Sequence, residues 1–225
     1  MGEIVRFAVN GGTGSGYLAV PGGGGGPGVL VIQEWWGLVD HIKEVCDRFA
    51  AQGFVALAPD LYHGVVTKSP DEAGKMLMAL NIAKAGVELR AAADALLARP
   101  EVTAPQVGAV GFCMGGQLAL FAGVEYPDRI GAVVDFYGIH PHVRIDPARV
   151  RVPVLAHFGK RDASVKEADA KALVKKIQTA GGSIEAHYYD ADHAFFNDTR
   201  PTVYDRGCAT SAWTRTLVFL GNQLR

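Results

Sequence analysis

Residues 107–117, VGAVGFCMGGQ, constrain the fold more than any other part of the chain. Val107 to Phe112 is an apolar run short enough for a buried strand, and Leu118-Ala119-Leu120 opens a helical pattern. One thiol, Cys113, stands at the turn between them. A side chain presented on so sharp a strand-to-helix turn sits on strained backbone, so the residues two before and two after it have to be small. Gly111 and Gly115 meet that need, and Gly116 leaves further room for close packing. The turn also sets the first N–H groups of the helix, with the positive end of its dipole, beneath the sulfur, which favours a thiolate and a developing oxyanion. A buried cysteine between glycines is also a common packing residue, so the rest of the chain has to decide between the two readings.

Apolar strands alternate with helical patterns on both sides of this turn. Ile4–Val9 and Tyr17–Val20 read as a hairpin interrupted by the glycine-rich residues 11–16. Val29–Gln33 reads as a strand, Asp40 as the cap of a helix reaching about Gln52, and Phe54–Ala58 as the next strand. Asp71–Ala98 reads as one long or interrupted helix. Beyond the turn come strand Ile130–Tyr137, strand Pro153–Phe158, a helix near Val165–Ala180, strand Ile184–Tyr189 and a last helix near Pro201–Leu220. Near-continuous apolar strands between helices mean an α/β fold, a mostly parallel sheet with helices on both faces. Pro21–Gly28, PGGGGGPG, lacks the Gly-Lys-Ser/Thr of a phosphate loop and leads into a strand, so it reads as a surface turn.

At 225 residues the chain suits one domain, 1–225. Its net charge of −1 argues against nucleic acid and for a small-molecule partner. Cys46, Cys113 and Cys208 are odd in number and widely spaced, with no metal or redox spacing, which suits a reducing compartment. No apolar segment follows Met1 as a signal peptide would, and no run approaches the roughly eighteen residues of a membrane span. A cytoplasmic protein without metal is the expectation.

Parallel sheets carry their ligand sites at the carboxyl ends of the strands. Asp162 lies just past one predicted strand, in Phe158-Gly159-Lys160-Arg161-Asp162, and His193 just past another, in Asp190-Ala191-Asp192-His193. The chain order nucleophile Cys113, acid Asp162, base His193 is that of the α/β-hydrolases. His193 would take the thiol proton and later protonate a leaving group, while Asp162 holds its tautomer. Asp162 also stands where a helix N-cap would, and Asp190 and Asp192 compete for the acid's role, although both lie too near His193 in sequence to face it easily. Glu34 closes an apolar strand beside two tryptophans, where a carboxylate is costly unless paired or protonated. The N–H groups of Trp35 and Met114 are the expected oxyanion donors. His41, His140, His142, His157 and His187 read as ordinary core or surface histidines.

Gln33-Glu34-Trp35-Trp36-Gly37, Gly111-Phe112-Cys113-Met114-Gly115-Gly116, Gly159-Lys160-Arg161-Asp162 and Asp192-His193-Ala194-Phe195 together resemble the dienelactone hydrolases (carboxymethylenebutenolidases) over nearly the whole chain. The resemblance implies a monomeric α/β-hydrolase without cofactor that opens a lactone through an acyl-enzyme, with Glu34 keeping the resting thiol neutral until substrate displaces it. Substrate contacts are expected from Trp36, Tyr137 and Asn197. Family members hold an anionic substrate with arginines, one of them four residues after the catalytic histidine, and here that position is Asn197. For the second arginine, residues 63–81 offer only Lys68 and Lys75, while Arg200 stands near enough to Asn197 to compensate. A neutral ester or thioester is the alternative substrate, and a binding protein on a hydrolase scaffold the alternative class.

Overall fold

The computed structural model describes residues 2–140 and 142–224. Eight strands form one sheet: β1 (Glu3–Val9), β2 (Gly12–Ala19), β3 (Gly28–Ile32), β4 (Val55–Pro59), β5 (Val107–Phe112), β6 (Ile130–Phe136), β7 (Val154–Gly159) and β8 (Ile184–Tyr189). Their order is β1-β2-β4-β3-β5-β6-β7-β8, antiparallel across β1, β2 and β4 and parallel from β4 onward. The order reverses between β3 and β5, so the chain leaving these two neighbours diverges and opens a crevice at their carboxyl ends. Glu34 leaves β3 there and Cys113 leaves β5.

Two-residue alternation fills both sides of the sheet. Val29, Val31, Ala56, Ala58, Val110 and Phe112 face one core with α1 (Asp40–Ala51) and α6 (Arg206–Gln223). Leu30, Ile32, Val55, Leu57, Val107 and Ala109 face the other with α3 (Ile82–Leu97) and α4 (Met114–Glu125). Every residue of β3, β4 and β5 is buried, which is why those strands read as unbroken apolar runs. Helix α5 (Glu167–Thr179) lies along β7 and β8. No helix of the described residues is long and apolar enough to cross a membrane.

Three local expectations differ from the structure: the place of the glycine run, the start of the last helix and the cap of α1. The glycine run belongs to β2, and the turn is Asn10-Gly11, with Gly11 at φ 76°. Close approach explains the glycines: a Cβ on Gly14 would lie 2.6 Å from the Phe7 ring, and one on Gly16 2.5 Å from the Ala58 carbonyl oxygen. Residues 71–98 are the interrupted form of the expected helix, α2 (Pro70–Ala79) and then α3, because Leu80 turns extended and the Asn81 side chain accepts the Lys84 N–H to start a new helix. The last helix begins at Arg206, where Asp205 accepts the Cys208 N–H, and Asp40 sits inside the first turn of α1 after an uncapped Val39.

At the turn itself, Cys113 adopts φ 55° and ψ −121°, a conformation that costs a non-glycine residue about 1–3 kcal/mol. The glycines make room for it. A Cβ on Gly111 would fall 1.8 Å from the Gly115 carbonyl oxygen, one on Gly115 2.4 Å from that of Ile32, and one on Gly116 2.0 Å from Asp135 Oδ1. Gly111→Ala is therefore expected to destabilise the protein by about 3 kcal/mol, a fall in Tm on the order of 10 °C. Gly74→Ala, in α2 with nothing within 4 Å of a new Cβ, should leave Tm unchanged or raise it. Calorimetry on both variants checks the contrast, and a harmless Gly111→Ala would contradict the packing described.

Candidate active site

Five strand ends converge on one cavity of about 420 Å³, a size suited to a small ligand. Cys113 and Met114 enter it from the β5 turn, Trp35 from β3, Tyr137 from β6, Val165 from the segment after β7 and His193 from that after β8.

Cys113 is partly exposed at the mouth of α4, a helix that buries ten of its twelve residues. Its own N–H is held by the Phe136 carbonyl and its carbonyl takes the Gly116 N–H, so the strained conformation is tied on both sides. His193 Nδ1–H donates to Asp162 Oδ2 at 2.6 Å, which fixes the tautomer and leaves Nε2 for the sulfur. Burial pulls the His193 pKa down, but hydrogen bonds to Asp162 and Cys113 outweigh it and raise the ring to about 10. Asp162 has two duties. While Oδ2 takes the imidazole, Oδ1 accepts the N–H groups of Ser164 and Val165, 2.7 Å each, so capping the turn and orienting His193 are not alternatives. Asp190 and Asp192 are instead paired with Arg161.

Glu34 is 1% exposed. Its Oε2 accepts a 2.8 Å hydrogen bond from Asn197 Nδ2, while Oε1 is buried without a hydrogen-bond partner among the described residues. Asn197 is placed differently from its expected role in substrate contact. It is 2% exposed, its oxygen is taken by Thr199 N–H and O–H, and its amide group is spent on Glu34, so it stands behind the wall as a support. Trp36 also lies off the cavity wall: it packs edge-on against Trp35 and under the guanidinium of Arg200, 5.5 Å away. Tyr137 does line the cavity, packed edge-on against His193 at 5.1 Å, and burial and then the Glu34 carboxylate push its phenol well above its usual pKa. Met114 is braced from below, where Tyr62 O–H donates to its sulfur at 3.3 Å.

Residues 63–81 bring only Leu77 to the wall, and neither Lys68 nor Lys75 reaches it. Arg161 and Arg200 do. Arg161 is neutralised by two aspartates, whereas Arg200 has no carboxylate within ion-pair distance among the described residues. His140 lines the cavity as well. Arg161 and His140 sit in irregular loops, where no periodicity marks the direction of a side chain, so the sequence holds no signal that would have singled them out. Of the other histidines, His157 lies between the Tyr189 and Thr216 hydroxyls and His187 on Glu185, while His41 meets Asp198 through Nδ1 and keeps a buried Nε2 without a partner among the described residues, away from the cavity.

A thiol at a strained turn over a helix N-terminus, with an oriented imidazole and a buried carboxylate, is equipped for acyl transfer. Known proteins place the chain in a lineage. The profile of the dienelactone hydrolase family matches residues 15–224. The chain is similar to the protein usf of Aquifex pyrophilus, 38% identical over all of both chains, and to the carboxymethylenebutenolidase of a Pseudomonas species, 32% identical over 95% of this chain and 92% of that one. Among solved structures it is similar to a dienelactone hydrolase-like promiscuous phosphotriesterase from metagenomic libraries, with 27% identity, a TM-score of 0.88 and coverage of 100% and 99%. Fold and relatives agree that the chain belongs to the dienelactone hydrolase family and is a hydrolase of carboxylic esters or lactones.

Proposed function

We propose that this protein opens a small lactone, a dienelactone or a close relative, through a covalent acyl-enzyme on Cys113. The observation that carries the reading is the meeting of Cys113 and His193 on one cavity, with the imidazole locked from behind to Asp162 at 2.6 Å.

In this reading Cys113 Sγ attacks the carbonyl carbon, and the oxygen takes up negative charge at the Trp35 and Met114 N–H groups. The ring C–O bond then breaks, the departing oxygen takes a proton from His193, and a thioester remains. Water attacks the thioester while His193 accepts its proton, and the thiolate leaves to restore the enzyme. At rest the thiol proton faces the unpartnered Oε1 of Glu34; when substrate arrives the proton passes to that carboxylate, leaving a thiolate opposite the His193 imidazolium, and it returns to the thiolate when the cycle closes. The relative from Pseudomonas carries the name of an enzyme for a carboxylate-bearing lactone, and Arg200, a cation at the cavity without a carboxylate of its own, supports such a substrate here.

Cys113→Ala should lower kcat/KM at least about a thousandfold with the fold intact by circular dichroism; full turnover in that variant would end the proposal. A second test concerns protons. Because His193 is raised to about 10, its proton is held through neutral pH and lost only as pH rises through that value. The rate of Cys113 alkylation by iodoacetamide should therefore show its His193-linked step near pH 10, and Asp162→Asn should move that step down by about one to three pH units. Glu34→Gln should alter the same profile, and a profile identical to the parent's would remove Glu34 from the mechanism.

Charge recognition is tested separately. Arg200→Gln should reduce kcat/KM for a dienelactone by roughly 10- to 100-fold, chiefly through KM, and leave p-nitrophenyl acetate almost unaffected. Equal losses on both substrates would show that Arg200 does not read the substrate's charge.

A further inference from the structure

His140 leaves one ring nitrogen unexplained. The residue is 5% exposed and lines the cavity that holds Cys113 and His193. Its Nδ1 accepts the backbone N–H of His142 at 3.0 Å. A nitrogen that accepts cannot carry the ring proton, so in the neutral ring the proton is on Nε2. That Nε2–H is buried and has no hydrogen-bond partner among the described residues. Leaving such a donor unpaired costs about 1–3 kcal/mol, and native structures keep few of them without a use.

The ring is also held in place. The loop after β6 is pinned where Gly138 N–H donates to Asp135 Oδ1 at 2.8 Å and Val143 N–H to the His140 carbonyl at 3.1 Å. Gln117 of α4 reaches across to the Val143 carbonyl, 3.1 Å away, and the His142 ring packs against His140 with centroids 5.5 Å apart. Burial and then the neighbouring His142 lower the His140 pKa, which keeps the ring neutral and its single proton where the geometry puts it. A fixed, neutral N–H donor at a ligand cavity selects for an acceptor without demanding charge.

We infer that His140 is a specificity-determining residue whose Nε2–H donates to an oxygen of the substrate outside the scissile carbonyl. The inference rests on the reading of this cavity as the acyl-transfer site. It adds a substrate feature: an ether, carbonyl or carboxylate oxygen beyond the reacting group, held by a neutral donor independent of Arg200.

Matched esters isolate that oxygen. p-Nitrophenyl methoxyacetate and butyrate have the same length and differ by one oxygen for one methylene, and the 3-methoxypropanoate and pentanoate esters move the oxygen one atom outward. The ratio of kcat/KM within each pair, compared between parent and His140→Phe, cancels the intrinsic reactivity of the esters. His140→Phe should lower that ratio about tenfold in at least one pair, and His140→Gln, which retains an N–H donor, should restore most of it. Unchanged ratios in both pairs would overturn the proposal, as would equal losses on all four esters, the mark of a structural role. Binding gives a readout that needs neither turnover nor the Phe variant. In ¹⁵N-histidine-labelled Cys113→Ala, the His140 Nε2–H resonance should move on addition of a methoxy ester and stay for its alkyl partner. An unmoved resonance would also overturn the inference. Absence of Cys113-dependent turnover in the parent would count against acyl transfer alone, so the two failures are told apart.

Discussion

Everything at the catalytic end of the sheet depends on one backbone conformation, the φ of 55° at Cys113. Strain of that kind persists only where its surroundings leave no alternative. Here the surroundings are specific: the Phe136 carbonyl holds the Cys113 N–H, the Gly116 N–H holds its carbonyl, and three glycines let backbone and the Asp135 carboxylate come closer than any side chain would permit. Because α4 is buried on nearly every face, the helix cannot shift to relieve the turn. The sulfur is thus presented over the first N–H groups of α4 before any ligand arrives, which is how a site lowers the reorganisation needed in the reaction.

The polar groups around the sulfur are arranged by the same logic of shared duty. Asp162 uses one oxygen to close a turn and the other to aim His193. Asn197 uses its oxygen to organise Thr199 and its amide to hold Glu34. Trp36 leaves the wall to Trp35 and lies under Arg200 instead. Support and function are joined through single side chains, so little of the cavity's polar lining is free to drift.

How much of this was legible in the sequence depends on periodicity and contact. The sheet, its helices and the turn were legible because buried parallel strands are unbroken apolar runs and the glycine spacing leaves few other readings. Cys113, Asp162 and His193 could be named because each follows such a run; Cys113 and His193 line one cavity, and Asp162 lies behind His193, bonded to its ring. Asn197 and Trp36 point elsewhere than expected, since a residue's offset from a histidine along the chain does not say which way it faces within a loop. His140 carries no sequence signal: a histidine beside a proline in a loop resembles any surface histidine until the cavity is seen around it. The glycine run misleads because glycine marks close approach within a strand as well as it marks a turn.

The hydrogen bond between Asn197 and Glu34 joins residues 163 positions apart. Glu34 is among the first parts of the site to leave the ribosome and its support among the last. Long-range contacts of this kind form late, after the entropy of closing so large a loop has been met. Until then the β3 end carries a carboxylate without its donor, and Cys113 lacks the imidazole that follows eighty positions later. A growing or truncated chain therefore holds the thiol without the groups proposed to act with it, and they meet only in the completed sheet.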